Sequence, residues 1–207
     1  MDGPDAKHEA SSSSTRTVLA VLYDRVLRHR PEDPAWEGRD RFLLSKGHGP
    51  AAFYTTLARH GYFPESWLDG FMTAGGRLGG HPDRHLVPGV EVSTGSLGHG
   101  LPMAVGVALA LRAKRLDEPR TFVLTGDAEL NEGSCWEAIM AAPRLALDRL
   151  TLIVVDNRSS TIPMTHLTGA LEAFGWDAVR VAAHHADALA VALARASDRP
   201  TAVVCDA

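Results

Sequence analysis

The stretch TFVLTGDAELNEG, Thr121 to Gly133, decides how this chain reads. Thr121 to Thr125 have the apolar, β-branched character of a strand buried on both faces. They run directly into Gly126-Asp127, and the acids Glu129 and Glu132 follow. A buried strand thus delivers a bare carboxylate to its tip, with a small residue on either side. Thirty positions on, LTLIVVDN (Leu150 to Asn157) is a second apolar strand, ending in Asp156-Asn157. One strand–helix–strand unit separates the two tips, which places Asp127 and Asn157 side by side on one edge of a parallel sheet. Ligands of such sheets bind at the carboxyl ends of the strands.

A carboxylate beside an amide oxygen, free of Cys and His, is a hard oxygen site suited to magnesium or calcium rather than zinc. Magnesium with so few protein ligands normally shares a phosphate. Gly126 and Ala128 allow backbone N–H groups to approach that phosphate, and a helix starting near Gly133 adds its positive end. Two readings stand on these residues: a magnesium-bridged phosphate or diphosphate site, and a Gly-Asp turn in which Asp127 only caps the next helix. The dinucleotide fingerprint Gly-x-Gly-x-x-Gly is not supplied by GDAELNEG.

Outward from the two tips the pattern is regular. LPMAVGVALALRAKRL, GSCWEAIMAAPRLAL, GALEAFG and HADALAVALARA read as helices, and DAVRVA and TAVVCDA as strands. Upstream, TRTVLAVLYDRVLRHR predicts a helix closed by Pro31 and Pro34. RFLLSKGHGP reads as a short strand or turn with a Gly-His-Gly tip, and AAFYTTLARHGYF and ESWLDGFMT read as two more helices. Residues 74–100 carry Gly or Pro at almost every third position, and a loop of that length in a compact domain is usually functional. The fold class expected is α/β, a three-layer sandwich with a mostly parallel sheet flanked by helices. Residues 1–14 read as a flexible tail ending in SSSS, and 15–207 as one domain.

Composition narrows the function. With 207 residues, 45% hydrophobic and 22% charged, the chain reads as an ordinary globular domain. A net charge of −4 argues against nucleic acid or an anionic membrane as partner. No apolar run approaches the ~20 residues of a bilayer span. Two cysteines without metal-type spacing, and no visible signal peptide, make a cytoplasmic setting the expectation.

Several motifs carry a family resemblance. GDAELNEGSCWEA followed by VVDN resembles the thiamin diphosphate motif that runs from Gly-Asp-Gly to an Asn. RFLLSKGHGPAAFY, GGHPD and GVEVSTGSLGHGLPMAVGVALA resemble the N-terminal, diphosphate-binding half of transketolase. The similarity runs unbroken over about residues 8–207 and is close to the split form, made of two short chains. It implies thiamin diphosphate and magnesium as cofactors. Asp127 and Asn157 would be side-chain ligands of the ion and Ser159 a backbone-carbonyl ligand. Gly126 and Ala128 would line the diphosphate, and Gly95 and Leu97 would touch the cofactor through their backbones. His48 and His81 match residues that contact cofactor and donor substrate. KHEASSSSTRTVLAVLY places His8 on a further substrate-contacting histidine, and Glu132 and Glu137 match acids that link paired active sites.

The implied reaction is transfer of a two-carbon ketol unit from a ketose donor to an aldehyde acceptor. The family's activating glutamate lies in a pyrimidine-binding domain, for which 207 residues leave no room. The expected partner is therefore a separate pyrimidine-binding subunit, in a heterotetramer. A keto-acid donor, with decarboxylation or acyloin formation, is the alternative chemistry, and a non-catalytic scaffold subunit the alternative role. The sequence departs from the family at Ala128, where the motif has its last Gly, and at Ala182 to His185, usually Asp-Gly-His-Asp.

Overall fold

The computed structural model describes residues 15–207; the tail and His8 lie outside the described residues. Among the described residues there are five strands: β1 (Arg41–Leu44), β2 (Thr121–Gly126), β3 (Leu150–Asp156), β4 (Asp177–Ala182) and β5 (Thr201–Asp206). Six α-helices accompany them: α1 (residues 15–21), α2 (Ala51–Arg59), α3 (Gly100–Ala113), α4 (Gly133–Arg144), α5 (Leu167–Ala173) and α6 (Ala186–Ala194).

The strands lie in the order β1-β2-β3-β5-β4, and every pairing is parallel. Parallel neighbours need crossover helices, so both faces must be covered. Alternate residues supply the two faces. Phe42, Phe122, Leu124, Ile153, Val155 and Val203 pack under α1, α2 and α6. Leu43, Val123, Leu152, Val154, Ala202 and Val204 pack under α3, α4 and α5. The three-layer α/β sandwich is as expected. β5 inserts between β3 and β4, so the winding reverses after β4. The crossover through α6 then covers the face opposite α4 and α5, as right-handed connections demand. Among the described residues no helix is long and apolar enough to cross a membrane.

Two helix expectations are corrected. The first helix stops short of Arg30: it widens into a π-helical turn, Leu22–Val26, closed by Leu27 N–H on the Leu22 carbonyl at 2.8 Å. Tertiary pairing ends it. Arg28 N–H donates to Asp40 Oδ2 at 2.9 Å, and Asp40 N–H to the Arg28 carbonyl at 2.8 Å, which draws the chain away to start β1. ESWLDGFMT forms only a 3-10 turn, Glu65–Gly70, behind Pro64, with the Trp67 ring stacked on Phe63 at 5.1 Å.

Beside α2, His60 and His29 meet edge to face at 5.2 Å, with Asp24 Oδ1 3.0 Å from His60 Nε2. Burial first, and then His29, lower the His60 pKa from its ordinary 6.5, against the opposing pull of Asp24. The unfolded chain therefore takes up this proton more readily than the folded one. Stability from this site is complete above pH 6.5 and falls as pH drops below it, until the folded ring also protonates. His60→Gln should flatten the fall of the urea midpoint between about pH 7 and pH 5. An unchanged slope would assign the acid sensitivity elsewhere.

Candidate functional site

The site forms where the sheet register brings three strand tips level. Gly126 pairs with Val155, and Asp127 N–H donates to the Val155 carbonyl at 3.1 Å, so β2 passes its last ladder bond to β3 as the carboxylate emerges. Asn157 follows the end of β3 directly. The two expected ligand residues thus leave adjacent tips on one edge. Asp156, beside Asn157 in sequence, turns to Arg180 Nη1 at 3.0 Å, and the same guanidinium reaches Asp206 at the end of β5.

Asp127 is only 4% exposed. Its carboxylate is satisfied by the loop that follows Asn157: the Ser159 hydroxyl donates to Oδ1 at 2.8 Å and Ser160 N–H to Oδ2 at 3.0 Å. Ser159 therefore lies beside Asp127 through its hydroxyl, whereas the expected role was for its carbonyl. Asp127 makes no side-chain cap to the short helical turn Ala128–Asn131 that follows it. The simple capping reading of Gly126-Asp127 therefore fails. A cleft of about 330 Å³ opens alongside, lined by Asp127, Asp156, Arg158, Ser160, Met164 and Leu167.

The Gly-rich segments close the other side. His48 and His81, both exposed, meet edge to face with ring centroids 4.9 Å apart. Gly95 has φ +141°, and a Cβ there would fall 2.7 Å from His81 Cδ2, so only glycine lets that backbone lie against the imidazole. Leu97 is half-buried in the same loop. Ala128 lies outside the positive-φ residues, so its methyl costs no backbone strain and its N–H is retained. Glu132 and Glu137 are exposed at the start and on the outer side of α4, away from the two histidines in sequence and open to solvent.

Three residues that sequence reasoning passed over belong to this edge. Lys46 is buried at the tip of β1. Burial pushes its ammonium down to about 8, opposed by Asp127 and then Glu129. Glu129 is 1% exposed, and burial raises its carboxyl above the usual range, opposed by bonds from Ser45 and Gly98. Tyr54 on α2 places its hydroxyl 3.0 Å from the Gly79 carbonyl and 2.9 Å from that of His81. An ionisable residue inside a strand-tip motif was the available signal for Lys46. No local signal marks Glu129 or Tyr54, whose partners lie tens of residues away.

The arrangement suits a hard cation shared with a phosphate. It offers a buried carboxylate and an amide at adjacent tips, with a buried ammonium behind them and loops where glycine permits close backbone approach. Among the described residues no group of three or more His, Cys, Asp or Glu could cage a metal. An ion here would need outside oxygens, as a diphosphate supplies.

Residues 5–207 match the family described as "Transketolase, thiamine diphosphate binding domain". The chain belongs to the transketolase family. "Ferredoxin fas2" of Rhodococcoides fascians is 48% identical over 202 residues, 97% of this chain and 66% of that protein. One subunit of the apulose-4-phosphate transketolase of Actinobacillus succinogenes is 44% identical over 157 residues, 76% of this chain and 56% of that protein. A solved transketolase from Leishmania mexicana superposes with TM-score 0.84 at 28% identity, covering all of this chain and 37% of that one. The chain thus spans less than two thirds of the length of these relatives.

In this transketolase domain Tyr54 ties α2 to the loop that carries His81. Tyr54→Phe removes the one hydroxyl proton that the two carbonyls share and should cost about 1 kcal/mol. The checks are a lower urea midpoint and a sharper, more mobile His81 imidazole signal by NMR. A full-stability variant with an unchanged His81 signal would refute the role.

Proposed function

We propose that this chain is the thiamin diphosphate- and magnesium-binding subunit of a two-component transketolase-like enzyme. The observation that carries the reading is the junction of Asp127 and Asn157 on adjacent strand tips, with the His48–His81 pair against Gly95 across the same edge. Relatives from Actinobacillus succinogenes and Phocaeicola vulgatus are each named as one subunit of a transketolase, which favours a partner chain.

Asp127 and Asn157 would hold the ion, with the Ser159 carbonyl as third protein ligand. Gly126, Ala128, Gly95 and Leu97 would border the cofactor through their backbones. When bound, thiamin diphosphate supplies the electron sink for cleaving and remaking a carbon–carbon bond next to a carbonyl. This chain's own part is positioning and electrostatics. Lys46 offsets the negative charge gathered at the β2 tip. His48 and His81, exposed and in ring contact, orient donor hydroxyls and give a hydrogen bond to the oxygen on which charge develops. Glu132 and Glu137 face outward toward a second chain that supplies the pyrimidine side. The donor is a ketose, and the group transferred is its two-carbon ketol unit.

Titration calorimetry tests the site. With the pyrimidine-binding partner present, thiamin diphosphate should bind only when magnesium is added. Asp127→Asn should weaken that binding at least ~tenfold, about 1.4 kcal/mol or more. Magnesium-independent binding unaffected by the substitution would remove Asp127 from the ion.

Ketol transfer from a ketose donor to an aldehyde should require both chains, and equal rates from this chain alone would sink the two-component reading. In the mixture, His81→Ala should lower kcat/KM by about a hundredfold. Cofactor affinity should stay nearly unchanged. Weaker cofactor binding with kcat/KM unchanged at saturating cofactor would reverse that assignment.

A further inference from the structure

Glu129 is the least expected charge at this edge. A buried carboxylate is costly unless it is paired and fully hydrogen-bonded. Its Oε1 accepts the Ser45 hydroxyl, from the tip of β1, and Gly98 N–H at 3.0 Å, from the Gly-rich segment. Ser45 and Gly98 lie 84 and 31 positions away in sequence, so one oxygen joins three separate segments. Lys46, next to Ser45, supplies the opposite charge.

Gly98 is gripped from both sides. Its carbonyl accepts the Ser134 hydroxyl at 2.7 Å, while its N–H is held by Glu129. Its φ is +81°, and a Cβ there would meet Glu132 Cβ at 2.6 Å, so the loop presses directly on the β2–α4 connection. Leu97 and Gly95 precede this fixed point, and Lys46 and His48 follow Ser45. The Cys135 thiol in turn donates to the Glu129 carbonyl at 3.4 Å, and Trp136 Nε1 to that of Leu130 at 2.8 Å, which fastens the turn carrying Glu129 to α4.

We infer that Glu129 is a positioning residue: it fixes the Ser45–His48 and Thr94–Gly98 loops against the tip of β2, so that their backbones stand in cofactor-binding geometry before the cofactor arrives. The inference rests on the thiamin diphosphate reading only for what the loops then bind. Fixing the loops in advance removes an ordering cost from binding. The bonds from Glu129 go to protein groups, the Ser45 hydroxyl and Gly98 N–H, and through these it acts on the loops.

Hydrogen exchange on the full chain, without cofactor, tests this directly. In Glu129→Ala, amides of residues 45–49 and 94–100 should exchange about tenfold faster or more, as loss of a hydrogen bond to a charged acceptor implies. Amides inside β2 and β3 should hold their wild-type rates. Glu129→Gln, whose side-chain oxygen still accepts from Gly98, should restore most of the protection. The Kd for thiamin diphosphate with magnesium and partner should follow the same order, with the alanine variant weakest.

Loop exchange within about twofold of wild type in Glu129→Ala would overturn the inference. So would equal loosening by Gln and Ala, or equal loosening of the β3 interior. If Glu129→Ala does not fold, Ser45→Ala takes its place: faster exchange at both loops upholds the inference, and none overturns it. If the wild-type chain and partner bind no thiamin diphosphate, the functional reading falls, and exchange still decides what Glu129 holds.

Discussion

A carboxylate buried at the end of two apolar strands is the constraint on which this edge depends. Asp127 is delivered there by the ladder itself, since its N–H completes the bonding of β2 to β3. Its charge must then be met locally, because bulk water is nearly excluded. The loop after β3 meets it with a hydroxyl and an N–H, one for each oxygen. To bring both donors round, the chain turns at Arg158 with φ +56°, a conformation that costs a non-glycine residue about 1 kcal/mol. Lys46 is held out of water at the same edge, and its lowered pKa records that cost. A strained turn and two further desolvated charges, Lys46 and Glu129, thus lie at the edge where Asp127 emerges, whereas the inner strands are apolar and well paired.

The sheet makes this concentration tolerable. Its inner strands carry apolar side chains on both faces and every pairing is parallel, so the tips end level and cannot slip by one residue without turning each core face outward. Arg180 adds a brace by spanning the acid-bearing ends of β3 and β5. Against that fixed edge the loops need little secondary structure of their own. Tyr54 holds the segment at His81 from α2, and Ser134 holds Gly98 from α4. Precision in the loops is borrowed from the helices behind them.

What could be read in the sequence follows the same division. Strands β2, β3 and β5 and helices α3 to α6 were legible because burial on both faces imposes unbroken apolar runs and helical spacing. The adjacency of Asp127 and Asn157 followed from the length of one strand–helix–strand unit. The π-helical turn was not legible, since the partner that ends it, Asp40, lies twelve residues beyond Arg28. His48 and His81 were marked by motif context, but only the structure brings their rings together. Glu129 read as one acid among several near a turn, because nothing local shows that its partners are Ser45 and Gly98. Burial of a charge is a property of the whole fold, and at Glu129 the sequence gives no local sign of it.

Ala128 shows how a departure from a motif should be judged. A glycine at the end of Gly-Asp-Gly invites the view that its replacement strains the turn. Here Asp127 has φ −58°, and Ala128 begins a short 3-10 turn, Ala128–Asn131, outside the positive-φ region. In that geometry a methyl adds no backbone penalty and removes conformations from the unfolded chain, the direction in which Gly→Ala exchanges stabilise. The same turn, closed by Leu130 N–H on the Asp127 carbonyl at 3.1 Å, drives Leu130 into the core and Glu129 inward to its partners. Ala128 therefore belongs with the features that pin the β2 tip, and the burden of holding the neighbouring loops passes to the carboxylate beside it.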